Sequence, residues 1–307
     1  MRETKTIYLH IGTEKTGTTT IQHFLWKNKE KLSKQGYIYP EFLGISHGRL
    51  VLYSSNYNRS LDIQKRRHMS QKDYDKFQAT FPGIFNKKLK DLIKKYSVII
   101  SSEHLSSRIR KKDELLKLYK LLSKISKNIK VVIYLRRQDK FLLSLYSTAV
   151  KNGCSKKFSK WVNNFTYLDL NYYQLLNFWS TVFGKENIIV KIFDKRRFKN
   201  NNLIDDFCSI FPINLKELQS VKNENLSLGA REIKLLRLVN SLYPGLKYKK
   251  WKDSLLFKIV SKINFRLFSK NNFRINQKVL NDIINKYKKS NKLVIKKYLN
   301  LQYKELF

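Results

Sequence analysis

The sequence predicts an α/β protein, with a central parallel sheet covered by helices on both faces and a mostly helical C-terminal part. Three observations predict it. Short apolar runs rich in β-branched residues recur up to Phe193. Segments with apolar residues at helical spacing lie between them. The first run leads into a glycine-punctuated loop and then into a helix. Such alternation implies βαβ units and parallel strands buried on both faces.

Four runs read as strands: 6–11 (TIYLHI), 97–100 (SVII), 130–135 (KVVIYL) and 187–193 (NIIVKIF). Each is short and bounded by polar residues. Helices are expected over 18–29, with Ile21, Leu25 and Trp26 on one face, and over 112–126, where leucines repeat at helical spacing. The stretches 140–150 and 172–183 are also amphipathic. The region 37–87 reads as less regular, a long insertion between the first two strands near the sheet's ligand edge, on the substrate side. It carries His47, Gly48, Tyr53, Tyr57, Arg66, Arg67 and His68. Beyond Phe193, helices are expected over 203–211, 229–242 and 278–299. The stretch 247–273 is basic and aromatic. It reads as a helix packed on the core with a solvated lysine face, or as a contact with a membrane surface or polyanion. The chain reads as one domain, 1–307, with the insertion at 37–87 and a helical region 203–307.

The chain has 307 residues, 42% of them hydrophobic and 28% charged, enough to bury a core and unlike a disordered chain. Its two cysteines, Cys154 and Cys208, form no C-x-x-C pair. Reduced thiols in a reducing compartment are expected, with no zinc cluster. No run approaches the length of a membrane-spanning helix, and the N-terminal apolar run is too short for a signal peptide. A cytoplasmic location is the expectation. The formal net charge is +40, from 63 Lys+Arg against 23 Asp+Glu. Lysine is spread through nearly every segment, which reads as a chain-wide bias combined with an anionic ligand site. Contact with an acidic surface or polyanion is the second reading. No zinc-finger, RNP-like or GXXG pattern points to specific nucleic-acid binding.

The chemistry starts at HIGTEKTGTTTIQ, His10 to Gln22. A strand, a small-residue loop and a helix follow one another here. Gly12 and Gly17 let the backbone curl, and amides at a helix start face an anion. Lys15 adds positive charge, and Thr16, Thr18 and Thr19 carry hydroxyls. In an ATPase loop, G-x-x-x-x-G-K-[ST], lysine follows the second glycine. Here that position is Thr18, and the lysine lies inside the loop. An anion cradle is therefore expected without the ATPase charge placement.

A second anion site is expected where the third run ends, in YLRRQDKFLLSLY. Arg136 and Arg137 stand at the strand's carboxyl end, where open α/β sheets bind ligands. Ser144 follows about two turns into the next helix, so Arg136 and Ser144 can clamp one phosphate. A salt-bridged arginine beside a packed serine is the structural alternative. Asp139 is expected to cap the helix.

GTEKTGTTTIQ together with YLRRQDKFLLSLY resembles the sulfotransferases that use 3′-phosphoadenosine 5′-phosphosulfate (PAPS). The stretches YYQLLNFWSTVFGKENIIVKIFD, LIDDFCSIF, NENLSLGAREIKLLRLVN and KSNKLVIKKYL resemble bacterial, carbohydrate-type members of that superfamily. The resemblance is weakest over 37–87 and 247–273. It implies a three-layer P-loop-like fold. It also implies that Lys15, with Thr16, Gly17, Thr18 and Thr19, grips the 5′-phosphosulfate, and that Arg136 and Ser144 bind the 3′-phosphate. The product would be adenosine 3′,5′-bisphosphate, and the acceptor a glycan or small hydroxylated molecule.

The base is sought in VIISSEHLSSR, where Glu103 follows the second run. A carboxylate there can take a proton from an acceptor hydroxyl, and carbohydrate-acting members of the resembled family often use glutamate. His104 is the rival, and a structural or capping role for both is the alternative. On a strand the two side chains would face opposite sides. Transfer would be direct and in line, with lysine and amides balancing charge in place of a metal, each worth about 3 kcal/mol. His10 is expected to pack. Two other readings stay open: an ATP-dependent P-loop kinase or NTPase, and a nonenzymatic basic protein that binds polyanions.

Overall fold

A computed structural model describes residues 5–60, 68–163, 170–221, 229–243, 277–299 and 305–307. The chain divides into two compact units. The first is Met1–Arg136 with Asn171–Glu224 and Lys289–Phe307, and the second is Arg137–Leu170 with Asn225–Lys288.

The first unit holds a sheet of five strands, all parallel: β1 (Ile7–His10), β2 (Tyr37–Ile38), β3 (Ser97–Ser101), β4 (Ile129–Leu135) and β5 (Ile188–Ile192). Their order is β2-β3-β1-β4-β5. In register, His10 pairs with Ser101 of β3 and with Val132 of β4. All four expected strands are present within a residue or two. The fifth, β2, lies in the stretch expected to be irregular; at two residues it offers no periodicity to read.

Numbered along the chain, the first helices are α1 (Thr18–Lys27), α2 (Lys29–Lys34), α3 (Gly48–Ser54) and α4 (Gln71–Leu89). Then come α5 (His104–Arg108) and α6 (Lys112–Ser123). The second unit opens with α7 (Gln138–Lys151) and α8 (Phe158–Asn163). The chain returns to the first unit for α9 (Tyr172–Phe183) and α10 (Leu203–Cys208). The second unit is completed by α11 (Ala230–Leu242) and the start of α12 (Gln277–Tyr298), whose end belongs to the first.

Strand alternation sorts the first unit's side chains into two layers. Ile7, Leu9, Val98, Ile100, Val131 and Ile133 pack with Leu50, Phe85, Leu118 and Trp179 from α3, α4, α6 and α9. On the opposite face Ile99, Val132 and Tyr134 pack with Ile21, Phe24 and Leu25 of α1 and Phe207 of α10. In the second unit Phe141, Leu142, Tyr146 and Val150 of α7 pack with Phe158, Leu236, Ile283 and Tyr287.

The region 37–87 proves more regular than expected. It contains α3 and the 19-residue α4, which runs through Pro82. Pro82 and Gly83 are helix-unfavourable residues and hide α4 in the sequence. A reciprocal cap starts it: Asp73 N donates to Ser70 Oγ at 3.2 Å and Ser70 N to Asp73 Oδ2 at 3.1 Å. The helix expected over 18–29 divides at Asn28, whose Nδ2 donates to the Phe24 carbonyl. The segment 247–273, with Arg66 and Arg67, lies outside the described residues. Among the described residues no helix is long and apolar enough to cross a membrane.

This topology positions the site. From β1 the chain passes through α1 on one face towards β2, at one sheet edge. From β4 it proceeds towards β5 with α9 on the other face. Neighbouring strands β1 and β4 thus send their chains to opposite faces, and a crevice forms at the carboxyl ends of such strands.

Candidate functional site

The loop between β1 and α1 stays tied to β4. Ile11 N donates to the Val132 carbonyl at 2.9 Å, Thr13 N to the Tyr134 carbonyl at 3.0 Å, and Tyr134 N to the Gly12 carbonyl at 2.6 Å. Pairing therefore continues past the strand end and carries the loop to the crevice. Gly12 has φ +95° and Gly17 φ +72°, a left-handed region that suits glycine. A Cβ on Gly12 would stand 2.9 Å from Glu103 Cα, so the loop abuts Glu103 directly. A Cβ on Gly17 would stand 2.3 Å from Leu203 Cδ2. Gly17 is the N-cap of α1 and has no side chain to cap it. The first amides of α1 lack intrahelical acceptors by helix geometry and carry the positive end of its dipole.

The loop's threonines divide by direction. Thr16 is buried, and its hydroxyl donates to the Thr13 carbonyl at 2.6 Å. Its single proton is thereby spent on holding the loop. Thr18 is buried in the first turn of α1, and Thr19 beside it is partly exposed. Lys15 is partly exposed at the loop's turn, with φ +61°.

Arg136, last residue of the first unit, brings the second expected anchor to this loop. Its Nη1 donates to the Lys15 carbonyl at 2.7 Å, and its guanidinium lies 5.3 Å from the ring centroid of Phe193. Tyr172 Oη donates to the Arg136 carbonyl at 2.5 Å. Arg137 behaves differently. It forms a two-pronged pair with Asp139 at 2.7 Å for each bond. Asp139 also accepts from Lys140 N at 2.7 Å, in the first turn of α7. The salt-bridged arginine of the pair is thus Arg137. Ser144 lies on α7 in the second unit, where its carbonyl accepts from Thr148 Oγ1 at 3.2 Å.

Glu103 and His104 stand just past β3, not on it, because β3 ends at Ser101 and Glu103 is the N-cap of α5. Strand alternation therefore does not govern them, yet their side chains still part company. Glu103 Oε2 accepts from Gln22 Nε2 at 2.7 Å. His104 Nδ1 lies 3.4 Å from Glu14 Oε1, which also accepts from Arg108 Nη1 at 3.2 Å. Burial raises the Glu14 pKa, but the contacts from His104 and Ser107 and the charge of Arg108 outweigh it and bring it to about 2. The loop's own carboxylate thus stays ionised, with the Arg108 guanidinium balancing its charge.

Behind Glu103 lies a buried polar cluster. His47, φ +46°, stacks on Tyr39 with centroids 4.1 Å apart. Its Nδ1 accepts from Ser101 N at 3.0 Å. Since β2 pairs only with the start of β3, His47 satisfies an edge amide that no strand reaches. Ser101 Oγ in turn meets His10 Nδ1 at 2.8 Å. Burial lowers the His10 pKa to about 3. The His47 pKa is also about 3, lowered by burial and partly offset by the Pro40 carbonyl. Both rings are therefore neutral near pH 7. Burial and the Glu103 charge push the Tyr39 phenol well above its ordinary range. Among the described residues no group of three or more His, Cys, Asp or Glu side chains is arranged to hold a metal.

Sequence reasoning does not single out Gln22, Glu14 or Arg108, and it names His47 as part of the stretch 37–87 without its partner. Gln22 leaves one trace: a polar residue beside Ile21 on the apolar face of α1 signals a buried partner. Glu14 and Arg108 meet partners far away in sequence and leave none.

No family model matches this chain, and no solved structure matches it. An uncharacterized protein of Archaeoglobus fulgidus is 35% identical over 158 residues, which is 50% of this chain and 41% of the relative. The chain thus matches less than half the length of that curated relative.

Proposed function

We propose that the protein is a PAPS-dependent sulfotransferase acting on a hydroxyl of a glycan or small molecule. One observation carries the reading: the Arg136 guanidinium, at the carboxyl end of β4, bonds to the backbone of Lys15 in the β1–α1 loop. Two cationic residues and a helix N-terminus thereby meet at one loop, with Glu103 against Gly12. The donor set fits a nucleotide with anionic groups at two positions, since Lys15, Arg136 and the first amides of α1 are cationic or N–H groups and the loop carboxylate Glu14 is paired with Arg108. The formal charge of +40 draws anions towards such a site.

PAPS, when bound, supplies the sulfuryl group, and adenosine 3′,5′-bisphosphate leaves. Lys15 and the first amides of α1 hold the phosphosulfate end and balance the charge that grows there. Arg136 holds the ribose phosphate by charge-assisted hydrogen bonds. Glu103 takes the acceptor hydroxyl's proton as the oxygen–sulfur bond forms. His104 steadies the loop through Glu14 in this reading and takes no proton from the acceptor.

The test is binding followed by transfer. Adenosine 3′,5′-bisphosphate is expected to bind at least about tenfold tighter than AMP, and Arg136→Ala to remove most of that preference. Radiolabelled sulfuryl transfer from PAPS to a panel of glycans, lipids and phenols then identifies the acceptor. Equal affinity for the two nucleotides, or magnesium-dependent ATP turnover in place of sulfuryl transfer, overturns the reading.

A further inference from the structure

Gln22 has no assigned task in this site, yet its surroundings are specific. It lies on α1 one turn beyond Thr18 and is only 3% exposed. Its neighbours on that helix, Ile21, Phe24 and Leu25, pack into the apolar layer. A buried amide among such residues is costly unless its hydrogens find acceptors. Nε2 finds one strong acceptor, Glu103 Oε2 at 2.7 Å, and reaches the Ser101 carbonyl only at 3.5 Å. An ionised carboxylate only accepts, so the amide must present its nitrogen to Glu103.

Glu103 is otherwise held through its backbone. Its carbonyl accepts from Ser106 Oγ at 3.0 Å, and its Cα stands against Gly12. The side chain has rotatable bonds that these contacts do not fix. The Gln22 bond fixes them by one oxygen and leaves Oε1 without a hydrogen-bond partner among the described residues. We propose that Gln22 is a positioning residue for Glu103: it pins Oε2 so that Oε1 faces the acceptor hydroxyl. This role rests on the function proposed above. It also makes α1 serve both ends of the reaction. The helix whose N-terminus borders the anion carries, on its second turn, the group that aims the base.

A double-mutant cycle separates positioning from mere support of the fold. Gln22→Met keeps the length of the side chain and removes the donor. Turnover is expected to fall about tenfold or more, the worth of a hydrogen bond to a charged group, with KM for PAPS changed less than about twofold. In the Glu103→Gln background the same change is expected to cost less than about twofold, because the carboxylate it aims is gone. Calorimetric affinity for adenosine 3′,5′-bisphosphate stays within about twofold in every variant, since Gln22 touches Glu103 and not the anion loop. Gln22→Leu, of similar size and without a donor, is read the same way should Gln22→Met fold poorly, and is expected to lose at least as much. Equal losses in both backgrounds, or turnover of the single variant within about twofold of wild type, overturn the positioning role and leave the sulfotransferase reading standing. A wild-type protein that binds the bisphosphate no better than AMP and transfers sulfuryl to no acceptor overturns both.

Discussion

At Gly12 the chain has no room for a side chain. Its φ is +95°, and an added Cβ would press on the Glu103 main chain at 2.9 Å. Main chain cannot swing aside, so Gly12→Ala is expected to destabilise by about 2–3 kcal/mol in urea unfolding. Gly17→Ala meets a different obstacle, the flexible end of Leu203 at 2.3 Å. It is expected to cost about 1–2 kcal/mol for its left-handed backbone plus a packing part, which Leu203→Ala in the same chain partly restores. Equal costs for both substitutions, with no restoration, would contradict this account. The need for these two glycines is legible in the sequence, because backbone freedom belongs to the residue itself. The direction of the threonine beside them is not. Thr16 turns inward to the Thr13 carbonyl, a choice made by the folded loop.

Between elements, single side chains close the gaps that hydrogen-bonded ladders leave. Glu114 on α6 accepts from Asn56 N at 2.7 Å, Arg110 N at 2.9 Å and Lys111 N at 3.1 Å. One carboxylate thus ties the start of α6 to the segment that follows α3. Its removal strands three backbone donors in a partly buried place. Glu114→Ala is expected to cost about 2–3 kcal/mol, and Glu114→Gln less, because the amide retains one accepting oxygen. Matching losses for the two variants, measured by thermal or urea unfolding, would refute the shared-acceptor role. The strands were readable as elements because each shows a β-branched run, and α9 because its pattern is regular from end to end. β2 and α4 were not: two residues carry no period, and Pro82 and Gly83 interrupt an otherwise continuous helix.

The stability of the whole molecule should register its two buried imidazoles. His10 and His47 have pKa values near 3 in the folded chain against 6.5 for an ordinary histidine. Below pH 6.5 the unfolded chain binds protons that the folded chain refuses, so stability falls as pH falls, between about 6.5 and 3. From pH 7 to 5 each ring is expected to remove about 2 kcal/mol. Glu14, held at about 2, adds its own loss only below its ordinary value of 4.5, so the range above pH 5 isolates the histidines. His47→Gln is expected to halve the slope of unfolding free energy against pH in that range, whatever it does to stability at pH 7. An unchanged slope would place the proton uptake elsewhere.

The parallel sheet, the positions of four of its five strands, the glycine loop and the surplus of positive charge were all determined by the sequence alone. Each follows from local quantities: β-branched runs, the spacing of Gly12 and Gly17, and a count of side chains. Tertiary structure decided which partner each member of an adjacent pair meets. Arg136 reaches the Lys15 carbonyl while Arg137 is held by Asp139. Glu103 meets Gln22 while His104 turns to Glu14. Neighbours in sequence share the same propensity and the same patterning, so neither can separate them. Most of the deciding contacts join residues about eighty to a hundred and twenty positions apart, and only the closed fold brings them together.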